Sequence, residues 1–197
     1  MLLLNVLAAL LLEQLTLAID CPYPNNTDTV IHIFNCDLGT STLALVLQKH
    51  ALTITDAKAL DENSNEIYPI ALKTPFVLHL NARNSGKVYA DYKMNFDLYE
   101  YKSGFLNTVC TWRSVPTFGL LYDKHNVDGC EKASNCPLEI GDLSLTLPVD
   151  LSSYNKFVAS LMDKRPYQLS LKVYDYSPGV ENHEEIACIN VQTKLEC

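Results

Sequence analysis

The side chains best suited to chemistry in this chain are its cysteines, and their spacing favours oxidation over metal binding. Two stand in the run Cys130-Glu-Lys-Ala-Ser-Asn-Cys136-Pro137-Leu138, and another follows in Ala187-Cys188-Ile189. Zinc sites usually space their thiols by two to four residues and need two such pairs, or one pair with closely spaced histidines. This chain contains no C-x-x-C and its histidines are scattered. The run therefore reads as a disulfide staple in a small β module, with no metal ligands assigned. Closing so short a loop removes little chain entropy, on the order of 2 kcal/mol, which suits a bridge that fixes one corner.

Nucleophilic and phosphate chemistry find no frame either. There is no G-x-S-x-G elbow, no H-E-x-x-H, and Ser85-Gly86-Lys87 lacks the upstream glycine of a phosphate loop. His183-Glu184-Glu185 follows a Pro-Gly turn and reads as a solvated loop, while His79 falls on the outer side of its strand. Paired carboxylates occur in any acidic chain and single out nothing. No catalytic residue and no cofactor is assigned, and the chain is expected to bind rather than to catalyse.

The N-terminus sets the compartment. Leu2 to Leu12 is apolar except for Asn5, and Thr16-Leu17-Ala18 offers small residues before a cut, so residues 1–18 read as a secretory signal peptide and 19–197 as one domain. A membrane anchor needs about 18 or more apolar residues. Asn25-Asn26-Thr27 is a glycosylation sequon with Asn25 as acceptor. The expected locations are the extracellular space and the lysosomal lumen. Removing residues 1–18 takes away Glu13 and no cation, so the formal charge moves from −8 to −7. An acidic balance argues against nucleic acid as a partner, because that needs a basic face. Near pH 5 the charge approaches zero, which lowers repulsion from anionic lipid and allows transient membrane contact.

The elements that would position these features are strands. Val88, Ala90, Tyr92, Met94, Phe96 and Leu98 alternate with Tyr89, Asp91, Lys93, Asn95 and Asp97, the pattern of a long half-buried strand. Leu143, Leu145, Leu147 and Val149 alternate with Asp142, Ser144 and Thr146, and Leu169, Leu171 and Val173 with Gln168, Ser170 and Lys172. Three strands with one wet face each predict an antiparallel sandwich. Shorter strands are expected at 30–34, 43–47, 76–80, 109–113 and 185–195, with turns at Asn84-Ser85-Gly86 and Ser177-Pro178-Gly179. Leu151, Tyr154, Phe157, Val158, Leu161 and Met162 recur at helical spacing between a serine cap and Pro166, so one short helix is expected near 152–164. Such a helix either covers the core or acts as a lid.

Cys36-Asp37-Leu38-Gly39, Asp128-Gly129-Cys130 leading to Asn135-Cys136-Pro137-Leu138, and Ala187-Cys188-Ile189 together resemble the ML (lipid-recognition) family. The resemblance covers about residues 30 to 195 and is densest over 128–138. It implies an all-β, immunoglobulin-like, antiparallel two-sheet sandwich whose sheets part to hold a lipid. It also implies that Cys130 pairs with Cys136, and Cys36 with Cys188. Members commonly carry a further disulfide soon after the first strand, yet no cysteine lies between Cys36 and Cys110. Cys21, Cys110 and Cys197 remain, an odd set with three possible pairings. The favoured one joins Cys21 to Cys197, because both flank the Cys36 and Cys188 pair in sequence, and leaves Cys110 as a free thiol.

The function implied is holding a sterol, phospholipid or glycolipid and transferring or presenting it. Burying about 400 Å² of ligand hydrocarbon contributes on the order of 10 kcal/mol before association costs. The inward faces supply the expected wall: Leu78, Leu80, Met94, Phe96, Leu98, Leu145, Leu147, Leu171 and Val173, with Val115 and Phe118 near the mouth. Taken singly, each of these also fits ordinary core packing. Trp112 fits core or mouth equally. The alternative function is a recognition module that docks on a receptor, or an activator that presents lipid to a hydrolase, with Tyr89, Tyr99, Tyr101 and Tyr122 as a docking patch.

Overall fold

A computed structural model describes residues 21–36, 50–71, 73–104, 109–115, 125–133, 135–150, 152 and 165–196. The expected signal peptide, the strand at 43–47, Phe118, Tyr122, Cys197 and the helix of 152–164 beyond Ser152 lie outside these residues.

Among the described residues ten strands make up the all-β sandwich: β1 (His32–Asn35), β2 (Leu52–Leu60), β3 (Ile70–Ala71), β4 (Phe76–Asn84), β5 (Tyr92–Ser103), β6 (Cys110–Ser114), β7 (Val127–Asp128), β8 (Gly141–Val149), β9 (Pro166–Asp175) and β10 (Glu185–Glu196). One sheet runs β1-β10-β9-β5-β6, with β3 beside β10 and β7 beside β5, and the other runs β2-β4-β8. All pairs are antiparallel except the short β3–β10 contact. Pro148 is tolerated because β8 is an edge strand among the described residues, where a missing N–H breaks no ladder.

The alternation of β8 matches the expectation, whereas β5 begins later. Tyr92 and Met94 are buried, but Val88 is 42% exposed and Tyr89 only 4%. The phase flips because Tyr89 pairs separately with Leu138, through backbone bonds of 3.1 and 2.9 Å, before the chain enters β5. Strand β2 carries no clean period-two signal, since its register shifts between Ile54 and Asp56. A bulge displaces the apolar set by one residue, so Leu52 and Ile54 precede it and Ala57 and Ala59 follow it.

The face of β9 expected to be wet is partly dry. Gln168, Ser170 and Gln192 are buried, and they satisfy one another. Gln192 donates to Gln168 at 2.7 Å, Gln168 to Asn190 at 3.2 Å, and Ser170 also donates to Asn190. Asn25, in a 3-10 turn at Pro24–Asn26, donates to Gln192 at 2.8 Å. Polar side chains bonded in this way can be buried at little cost.

Three disulfides close the fold: Cys21–Cys110, Cys36–Cys188 and Cys130–Cys136. The expected Cys21–Cys197 bridge and free Cys110 are therefore corrected. Cys110 opens β6, and the segment before β1 reaches it across the sheet, an approach set by tertiary packing rather than by position along the chain.

The motif of residues 128–138 has a local physical account. Asp128 caps the short helix α1 (Gly129–Lys132) by accepting the Glu131 N–H at 3.0 Å. A methyl group built on Gly129 would overlap the Tyr92 ring, so the close approach requires glycine. The disulfide then ties the end of this corner back beside Ala90 O, 3.3 Å from Cys136 Sγ. At the other predicted turn, Gly179 has φ of 85° after Pro178, and Val180 donates to Ser177 O at 3.2 Å, as a type II turn demands.

Candidate functional site

Strand register builds two facing apolar surfaces. Met94, Phe96 and Leu98 pair with Val173, Leu171 and Leu169, which lead on to Ile189 and Val191 of β10. On the other sheet Leu78 pairs with Leu147 and Leu80 with Leu145. Directly paired residues share a face. Between the two surfaces lies a cavity of about 190 Å³. Its wall is Ile70, Phe76, Leu78, Met94, Phe96, Leu98, Val127, Lys132, Leu147, Pro148, Val149, Asp150, Tyr167, Leu169, Val191, Thr193 and Leu195. A smaller cavity of about 30 Å³ lies beside it, against Leu52, Ile54, Leu80, Tyr92, Leu138, Leu145, Leu171, Val173 and Ile189. Met94 and Leu147 line both and form the partition.

Of the wall residues expected from sequence, Leu78, Met94, Phe96, Leu98 and Leu147 border the larger cavity, and Leu80, Leu145, Leu171 and Val173 the smaller. Val115 is buried but borders neither. Its N–H bonds to Leu98 O at 2.9 Å, which spends it on extending the β5–β6 ladder. Sequence reasoning passed over Phe76, Val149, Leu169, Val191, Thr193 and Leu195, although extending the same alternation along their strands would have found them. Ile70 had no local signal, because its strand is two residues long and is defined only by its parallel pairing with β10.

The charged wall residues mark the mouth. Lys132 has a half-exposed side chain that pairs with Glu131 at 3.4 Å, and Asp150 is exposed. Hydrogen bonds from the Ser152 side chain and backbone hold the Asp150 carboxyl below the usual carboxylate range. In the wall of the smaller cavity, burial, helped by the nearby Asp128 charge, pushes the Tyr92 phenol up to about 12. Tyr92 therefore stays neutral, and its hydroxyl donates to Asn135 O at 3.2 Å.

Other candidates fall away from the cavity. Tyr89 is buried, so it cannot belong to the proposed docking patch, while Tyr99 and Tyr101 are half-buried. Trp112 pairs with Tyr101 on the outer face of the sheet, with ring centroids 5.0 Å apart. His79 lies on the outer face of β4, 3.4 Å from Ser144 Oγ, and His183 stacks on Tyr176 at 3.6 Å. Asp91, Asp128 and Cys130 converge, but Cys130 is in a disulfide and has no thiolate to offer a metal. Asn25 is exposed with its Nδ2 donating to Gln192 at 2.8 Å, and Thr27 is fully buried.

No family model and no curated protein sequence matches this chain. Among solved structures, a Niemann-Pick type C2 protein from Japanese carpenter ant aligns with a TM-score of 0.39 and 12% identity, over 73% of this chain and 91% of that one. The C-terminal domain of wzt aligns with a TM-score of 0.40 and 8% identity, over 89% and 81%.

Proposed function

We propose that this protein is a non-enzymatic lipid carrier of the ML type, secreted or lysosomal, that holds the apolar part of a lipid between its two sheets. The observation that carries this reading is the cavity of about 190 Å³, walled by aliphatic and aromatic side chains from both sheets. An apolar cavity of about 150 Å³ already stays dry and takes up a ring the size of benzene. The disulfides Cys36–Cys188 and Cys130–Cys136, and the capped corner at 128–138, support the resemblance in sequence. Three disulfides also suit an oxidising compartment.

The volume bears on the ligand. Pockets for drug-sized molecules run to about 300–1,000 Å³, so this cavity holds one hydrocarbon chain or ring system end, and a whole sterol requires the sheets to part. Lys132 and Asp150 are the charged residues of an otherwise largely apolar wall and mark where it meets water. Native mass spectrometry of the protein secreted from a eukaryotic host, followed by lipid analysis of the extract, tests the reading. A stoichiometric, chemically unaltered lipid is expected. A ligand-free mass that persists after incubation with mixed vesicles at pH 5 and pH 7 would sink it.

A further inference from the structure

The apolar face that walls the cavity changes character at one end. On β5 the inward residues run Met94, Phe96, Leu98 and then Glu100, which is 7% exposed and pairs in register with Tyr167, a wall residue. Across the β5–β6 ladder Glu100 pairs with Arg113. Directly paired residues share a face, and one step of two residues along a strand is about 7 Å. Arg113 thus lies on the cavity side of the sheet, diagonal to Leu98 and just past the lining, which includes neither it nor Glu100.

Glu100 does not neutralise it. One carboxylate oxygen of Glu100 is taken by Lys102 and the other by Arg165 at 3.1 Å. Among the described residues no carboxylate stands within ion-pair distance of Arg113, and its Nε is buried without a hydrogen-bond partner. A buried, unpaired guanidinium nitrogen is costly and rare in native proteins. The four side chains together hold three cations and one carboxylate, a local positive excess in a chain of net charge −8. A guanidinium is the side chain best shaped to grip a carboxylate or phosphate with two parallel hydrogen bonds.

We propose that Arg113 is a head-group subsite that binds the anionic end, a carboxylate or a phosphate monoester, of a single-chain amphiphile whose tail fills the cavity. This rests on the cavity reading above and adds the chemical class of the ligand. The single chain follows from the volume, which exceeds only modestly what benzene needs. Lys102 and Arg165 offset the charge of Glu100 and hold it at the strand end.

The test is displacement of N-phenyl-1-naphthylamine from the delipidated full-length protein at pH 7.5. Dodecanoate and dodecyl phosphate should each bind roughly tenfold more tightly than dodecanol, because a charge-assisted hydrogen bond replaces a neutral one. Arg113→Gln should erase that preference while leaving dodecanol affinity unchanged, which also reports that the variant is folded. Arg113→Lys should keep part of the preference, and Arg83→Gln, which removes an exposed cation from the other sheet, should keep all of it. Equal affinity of wild-type protein for dodecanoate and dodecanol would overturn the subsite and leave the carrier reading intact. So would a preference that survives Arg113→Gln, or displacement by inorganic phosphate alone, which would mark a site for free anions. Binding of none of the amphiphiles would remove the cavity reading itself, and the subsite with it.

Discussion

Leu147 is 5% exposed and separates the two cavities, so shortening it merges them. Leu147→Ala should lose about 2–5 kcal/mol of stability in urea unfolding. Part of that loss should return when dodecanoate is added, since a ligand that enters the enlarged space restores contacts and stabilises by mass action. An unchanged unfolding midpoint would mean that the side chain is not packed as described. A second residue reports on pH. Burial opposes ionisation of Asp175, but the Lys87 ammonium at 2.8 Å and bonds from Ser177 outweigh it and hold its carboxyl below 3.8. A carboxyl depressed in the folded state adds stability above its unfolded pKa and loses it as pH falls through the folded value. The Asp175 contribution should therefore be intact at pH 5 and vanish below about 3.8. Thermal unfolding of wild type and Asp175→Asn across pH 2 to 6 should converge at the acid end; parallel curves would refute the pairing.

Helix α1 and its staple set one corner, and the other two disulfides span the fold. Gly129→Ala should cost about 1–3 kcal/mol, because the new methyl group must displace the buried Tyr92 ring. Near-ultraviolet circular dichroism and thermal unfolding together would register it. For the bridges, the loop-closure argument ranks the losses. Cys36–Cys188 closes a separation of 152 residues and Cys21–Cys110 one of 89, so replacing either pair by alanine should cost about 4–5 kcal/mol. Cys130–Cys136 closes 6 and should cost about 2 kcal/mol. Guanidinium unfolding of the three double-alanine variants checks the order. A Cys130–Cys136 variant that is the least stable would show that the corner organises more of the sandwich than its loop length implies.

Charge acts on the molecule as a whole. With a net charge of −8 and an isoelectric point of about 5.0, the protein is repelled by anionic membranes at neutral pH. As its carboxylates take up protons near pH 5 that repulsion fades. Sedimentation with phosphatidylserine vesicles should rise severalfold from pH 7 to pH 5 at low salt. Binding that is flat with pH would disconnect lipid delivery from acidification.

Period-two alternation made β5, β8 and β9 legible in the sequence, because side-chain direction in a strand depends only on parity. The staple at 130–136 and part of the cavity wall were legible as well, since both depend on residues close along the chain. Strand β2 was not, because its bulge moves the apolar set out of phase. The dry polar face of Gln168, Ser170 and Gln192 was not either, because covering a surface is a property of what packs on it. The Cys21–Cys110 bridge joins segments that only tertiary packing brings near. The Glu100 and Arg113 pair reads in sequence as two ordinary polar strand positions, and the β5–β6 register alone puts both on the cavity side of the sheet beyond Leu98. Local alternation by itself determined which faces are apolar; the distance between those faces, and what stands at their ends, was decided by strand order and register, which are long-range.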